Sequence, residues 1–175
     1  MERQAHGFEY QKEVSERLGI KESNEYTSKW DGILNGRPVS IKTIKKGSSI
    51  DMADYFRISS IVEDFYLIVS FWEGETSNIV EEHILFIRGE EFHSLFPENF
   101  GDKLRDLLNN ITNDRADDAK WTAQKDALSA EYKASCPNLV SLRFKRDHKK
   151  QKRIQCAINK VPFYNYFLPK YEVTI

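Results

Sequence analysis

The chain has 175 residues, 40% hydrophobic, 13% aromatic and 30% charged, which suits one globular domain with a continuous core and excludes a disordered chain. Its net charge of −1 hides an asymmetry, because residues 136–175 hold nine Lys/Arg against two Asp/Glu, a local balance of +7. Polyanion binding is therefore expected at one patch rather than over the whole surface.

No apolar run is long enough to cross a bilayer, and Met1-Glu2-Arg3 begins no signal peptide. Cys136 and Cys156 form no disulfide framework or metal spacing, so a reduced, cytoplasmic protein without a membrane partner is expected. His6, His83, His93 and His148 lack zinc-like spacing, and neither a Walker-A loop nor a GxGxxG is present.

Residues 7–18 read as a helix, with Tyr10, Val14 and Leu18 as an apolar stripe and Gly19 as its stop. Gln11 and Glu13 border that stripe, whereas Glu9 points away from it. Residues 21–28 form a polar approach to the stretch around which the chain is organised. There Ile33-Leu34 and Val39-Ser40-Ile41 flank Asn35-Gly36, a pair that tolerates the positive φ angles of a type I′ turn, so a β-hairpin is expected. On its second strand Ser40 and Lys42 share one face and Val39 and Ile41 the other. Asp31, at the outer end of the first strand, comes close to Lys42.

Lys45, Lys46 and Gly47-Ser48-Ser49 make a basic turn. A second helix is expected over residues 51–62, with Ser49 as N-cap, Asp51 in the first turn, and Asp54 and Arg57 one turn apart on a common side. Residues 64–72 are nearly all apolar, as in a strand buried on both faces, with the preceding helix as its crossover. A strand at 83–87 and a short helix at 90–96 ended by Pro97 follow. Phe100, Leu104, Leu107, Leu108 and Ile111 define an amphipathic helix, and Trp121, Leu128 and Tyr132 another over 114–133.

The chain then becomes β again: Val140, Leu142 and Phe144 alternate with polar residues, as do Ile154, Cys156 and Ile158. Between these runs, seven Lys/Arg fall within residues 143–153. A phosphate-tracking hairpin is expected, in which Arg143 and Arg146 read bases while Lys145, Lys149, Lys150, Lys152 and Arg153 hold the backbone, joined by Lys45, Lys46 and Arg57. The plainer alternative is a solvated tip. The fold expected is α/β: one domain over 1–175, with a mixed central sheet flanked by helices (core about 6–90), a helical insertion at 97–135 and a basic β-hairpin within 138–175.

An Asp, a turn, and then an apolar-x-apolar-Lys strand resembles the signature of the PD-(D/E)xK nucleases, which include many restriction endonucleases and junction resolvases. The resemblance covers roughly residues 6–72 in the order helix, hairpin, helix, strand. Two positions depart from the pattern: Trp30 stands where the Pro is usual, and Ser40 where the second acid is usual. The resemblance implies a Mg²⁺ (or Mn²⁺) ion held by Asp31 and the backbone carbonyl of Ile41, with Lys42 on the scissile phosphate or the attacking water. Ser40 is a poor metal ligand, so Asp54 or Asp51 is expected to supply the missing carboxylate, and Glu13 or Gln11 to stand second in line. The function implied is a metal-dependent endonuclease of restriction type acting on double-stranded DNA as a homodimer. The alternatives are a structure-specific repair or junction nuclease, and a nucleic-acid-binding module that has lost the metal site.

Overall fold

The computed structural model describes the backbone of residues 2–23, 29–74 and 78–175, with side chains from residue 8 onward within those ranges. Most of the polar approach at 24–28 and the His6 side chain lie outside the described part. Helix α1 (Glu2–Leu18) ends at Gly19, whose φ of +66° suits a left-handed stop. Strands β1 (Lys21–Glu22), β2 (Gly32–Leu34) and β3 (Arg37–Lys45) run antiparallel. Between β2 and β3, Asn35 and Gly36 take φ of 51° and 75°, as the type I′ expectation requires.

Strand β4 (Ile50–Asp54) and the short helix α2 (Tyr55–Ile58) carry the chain across to β5 (Phe65–Glu73). β5 lies parallel to β3, from Val39 opposite Tyr66 to Lys45 opposite Trp72. β6 (Asn78–Ile87) returns antiparallel to β5, completing a five-stranded mixed sheet in the order β1-β2-β3-β5-β6. Helices α3 (Gly89–His93), α4 (Phe100–Asn110) and α5 (Asp118–Ser135) follow, and then the hairpin β7 (Ser141–Arg146) and β8 (Lys152–Ile158). The chain closes with α6 (Lys160–Pro162), a π-helical turn over Phe163–Phe167, and α7 (Leu168–Tyr171). Beyond α7, the Val173 amide donates to the Ile84 carbonyl at 2.8 Å and ties the terminus to β6.

The five-stranded sheet separates two apolar layers. On one face Val39, Ile41 and Ile68 pack against Val14 of α1. This helix is also fastened by Arg17 to Glu82 at 2.6 Å, and by Tyr10, which donates to Glu82 and accepts from the buried Ser70 hydroxyl at 2.8 Å. On the other face Leu67, Val69 and Phe71 join a larger core with Ile50, Met52, Ile154, Cys156, Phe100 and Tyr132.

Three expectations are corrected. The helix expected over 51–62 is mostly strand, because Ile50 and Met52 are buried in alternation with exposed Asp51, and β8 offers them a ladder from Ile50–Ile158 to Asp54–Gln155. Only Tyr55–Ile58 is helical, and its cap is Asp54, which accepts the Phe56 amide at 2.9 Å, rather than Ser49. Apart from the mixed central sheet, the C-terminal hairpin takes β4 as a third strand, and β4-β8-β7 form a separate antiparallel sheet. The basic hairpin consequently does not project as an arm: Ile154, Cys156, Ala157 and Ile158 are buried, and β8 is the central strand of the second sheet.

Candidate active site

The β2–β3 hairpin places its chemistry through backbone bonds. The Asp31 amide donates to the Val39 carbonyl at 2.9 Å, and its carbonyl accepts from the Ser23 amide at 3.1 Å. Its carboxylate crosses to the neighbouring strand, where Oδ2 accepts the Ile41 amide at 2.7 Å. Gly32 follows, and a Cβ there would lie 2.6 Å from both Ile20 Cγ2 and the Lys21 carbonyl oxygen, so only glycine lets β1 approach.

Asp31, Ser40 and Lys42 line one cavity of about 110 Å³, together with Lys29, Trp30 and Arg57. Its apolar wall includes Met52, Ile58 and Phe65. Trp30 stands 5.1 Å from the Phe65 ring and donates through Nε1 to Glu63 at 3.2 Å; Lys29 reaches the same carboxylate at 3.1 Å. Burial lowers the Lys42 pKa, a shift that Arg57 reinforces and Asp31 and Asp51 oppose. The cavity also touches Ala53, whose φ of 117° at the β4 irregularity is strained for a residue with a Cβ.

The helix acids proposed from the sequence are placed otherwise. Asp54 caps α2 and is absent from the cavity lining. Asp51 lies nearer to Lys42, in a groove at the end of β3, but its carboxylate is paired with Arg143 at 2.9 Å. Glu13 is exposed on α1, against the sheet face opposite Ser40 and Lys42; Glu9 is exposed and Gln11 half-buried on the same helix.

The expected DNA-binding cations divide. Lys46 pairs with Glu73 at 3.4 Å and Glu81 at 3.1 Å, and Lys45 lies 5.9 Å from the Trp72 ring centroid. Arg146 turns inward with 4% side-chain exposure, pairing with Asp118 at 2.6 Å and donating to the Thr112 and Asp114 carbonyls. Lys152 also turns inward and caps α4 at the Leu108 and Ile111 carbonyls. Lys145, Lys149, Lys150 and Arg153 are exposed. In the turn Asp147 accepts the amides of Lys149, Lys150 and Gln151, so the loop is ordered by its own carboxylate. Sequence reasoning did not single out Lys29 or Trp72; a cation directly before Trp30-Asp31 and an aromatic closing an apolar strand were the available signals.

Among the described residues no group of three or more His, Cys, Asp or Glu is placed to hold a metal ion. A preformed all-protein cage therefore does not fit. Magnesium asks for less, since it keeps most of its waters and takes one or two carboxylates plus substrate phosphate oxygens. Asp31, with Oδ1 left to offer, fits that substrate-completed form, whereas Ser40 adds only a neutral hydroxyl. Among the described residues no helix is long and apolar enough to cross a membrane. No protein-family model, no curated protein and no solved structure matches the chain.

Proposed function

We propose that the chain is a magnesium-dependent DNA endonuclease of the PD-(D/E)xK kind, with Asp31 and Lys42 as its catalytic pair. The observation that carries this reading is the meeting of one carboxylate, from the residue before β2, and one desolvated lysine of β3 in the same small cavity. The order helix, hairpin, crossover and parallel strand supports it. Asp31 and the Ile41 carbonyl would hold the metal, which when bound supplies charge neutralisation at the phosphoryl oxygens and a more acidic water. Asp31 is oriented by the Ile41 amide, so its free oxygen is set relative to β3. Lys42, whose pKa burial lowers, sits where it can contact the scissile phosphate or, once deprotonated, take a proton from the attacking water. Ser40, on the same side of β3, can donate a hydrogen bond to a phosphate oxygen. Arg57 adds positive charge where negative charge develops.

Of the two enzymatic readings, the structure-specific one is better supported than the restriction one. Of the two guanidiniums expected to read bases, Arg146 turns inward and is engaged by Asp118, and Arg143 lies at the groove beside Lys42 rather than at the hairpin tip. The homodimer belongs to the restriction reading and is carried with it. The test is digestion of plasmid, branched and flap DNA with Mg²⁺ or with EDTA, using wild type, Asp31→Asn and Lys42→Ala with melts run in parallel. Wild type is expected to cut only with metal, and each folded variant to lose about 10²–10⁴-fold in rate. Discrete bands from plasmid would favour restriction. Binding without cleavage, or full activity in Asp31→Asn, overturns the proposal.

A further inference from the structure

The carboxyl ends of the parallel strands β3 and β5 open into a second groove of about 690 Å³, which shares Lys42 with the cavity. That volume is within the roughly 300–1,000 Å³ of ligand clefts, and the carboxyl edge of parallel strands is where α/β sheets receive ligands. Among the described residues, Lys42, Lys45 and Arg143 line it together with one acid, Asp51. Lys46 turns instead to Glu73 and Glu81, outside this lining. Trp72 forms the aromatic part of the wall. It pairs with Lys45 across the β3–β5 ladder, and the Lys45 ammonium lies 5.9 Å from its ring centroid. Arg143 reaches in from the second sheet, held by Asp51 at 2.9 Å and by the Ser49 hydroxyl. With side chains 36% and 59% exposed, this ion pair is screened and readily exchanged for a phosphate.

We propose that this groove holds a single-stranded segment of nucleic acid leading into the Lys42 cavity, its phosphates on Lys45 and Arg143 and a base against Trp72. The inference rests on the phosphodiester reading of that cavity. Cations alone would suit any polyanion; the aromatic ring beside Lys45 is what selects an unpaired strand. A base can stack on a side chain only once it has left the duplex, where its faces are covered by neighbouring bases. Asp51 keeps Arg143 in place while the groove is empty and yields it to an arriving phosphate. The natural substrate is then a flap, gap or frayed end.

The experiment is fluorescence anisotropy in EDTA, so that binding is read without metal or cleavage. The probes are a labelled oligothymidine, a base-free strand of equal length, and a duplex of equal length. Trp72→Leu is expected to weaken the oligothymidine about 5- to 100-fold, to leave the base-free strand unchanged, and to be largely restored by Trp72→Phe. Arg143→Gln should weaken both single strands and flatten the salt dependence, because one phosphate contact is lost. Equal loss on both strands, no loss, or tighter duplex binding with the same Trp72 dependence overturns the proposal. If Trp72→Leu fails to fold, Trp72→Thr, which has no ring and suits a strand position, takes its place in the same comparison. Because no catalysis is involved, a failure here leaves the assignment of Asp31 and Lys42 standing, and failed cleavage leaves this binding test intact.

Discussion

Lys42 carries its ammonium into a cavity partly walled by Met52, Ile58 and Phe65, and burial lowers its pKa even with Asp31 nearby. The unfolded chain holds that proton up to about pH 10.4, so between the folded and unfolded pKa values the unfolded state binds more protons and stability rises with pH. Below the folded value the cost of burying the charge is constant and at its largest. Lys42→Met is therefore expected to melt higher than wild type at pH 7 while losing cleavage. The gap should narrow as pH approaches about 10, where wild type also sheds the charge. Melts at several pH values check this, and a gap independent of pH would count against a buried ammonium. Asp54 behaves differently, because its carboxylate is committed to the Phe56 amide. Asp54→Ala should lose about 0.5–2 kcal/mol as a missing N-cap and leave the metal dependence of cleavage unchanged. A shifted Mg²⁺ requirement would instead return Asp54 to the site.

At the scale of elements, what could be read from the sequence was what local pattern decides. Asn35-Gly36 specifies its turn through its own backbone, the 64–72 run is apolar on both faces, and α4 keeps a 3.6-residue stripe of Phe100, Leu104 and Leu107. The segment at 50–54 is different: Met52, Phe56 and Ile58 read as a helix side, but Ile50 and Met52 also fit a strand, and only β8, far along the chain, decides between them. For the same reason the Asp31–Lys42 meeting was legible, and the Asp51–Arg143 pairing was not. Charge counting likewise found the basic hairpin without telling which cations it spends internally. Arg146→Ala is expected to cost about 1.5–3 kcal/mol through its lost charged hydrogen bonds to the Thr112 and Asp114 carbonyls. Lys149→Gln and Lys150→Gln should stay within about 0.5 kcal/mol of wild type. Denaturant titrations measure both, and equal effects would show that the Arg146 contacts contribute nothing.

Across the whole molecule, Glu81 is a junction of three parts of the chain. It bonds Tyr164 of the C-terminal helical segment at 2.6 Å, Lys46 of the β3–β4 turn at 3.1 Å, and His83 of its own strand at 3.4 Å. These partners, Tyr164 first, lower its pKa from 4.5 to about 2. A lowered carboxyl pKa contributes stability that is present above the unfolded value of 4.5 and lost as pH falls towards about 2. Acid should therefore loosen the C-terminal segment from β6, and Glu81→Gln should flatten the pH dependence of melting across that window. Hydrogen exchange at residues 160–173, followed at pH 6 and pH 3, tests where the loosening occurs; uniform exchange along the chain would speak against a local junction.

The pairing of Ile50 with Ile158 has a consequence for the order in which the protein is made. At about 5–20 residues per second, a ribosome needs on the order of 5 to 20 s to travel from β4 to its partner strand. Throughout that interval Asp31, Ser40 and Lys42 already exist in the nascent chain, and β5 joins them early, but β4 has no ladder and Arg143 has not been synthesised for most of it. The groove beside Lys42 is thus assembled late, by a long loop closure. A nascent chain that stops short of β7 carries the residues proposed for chemistry without the surface proposed to guide nucleic acid to them, and synthesis of the β7–β8 hairpin joins the two.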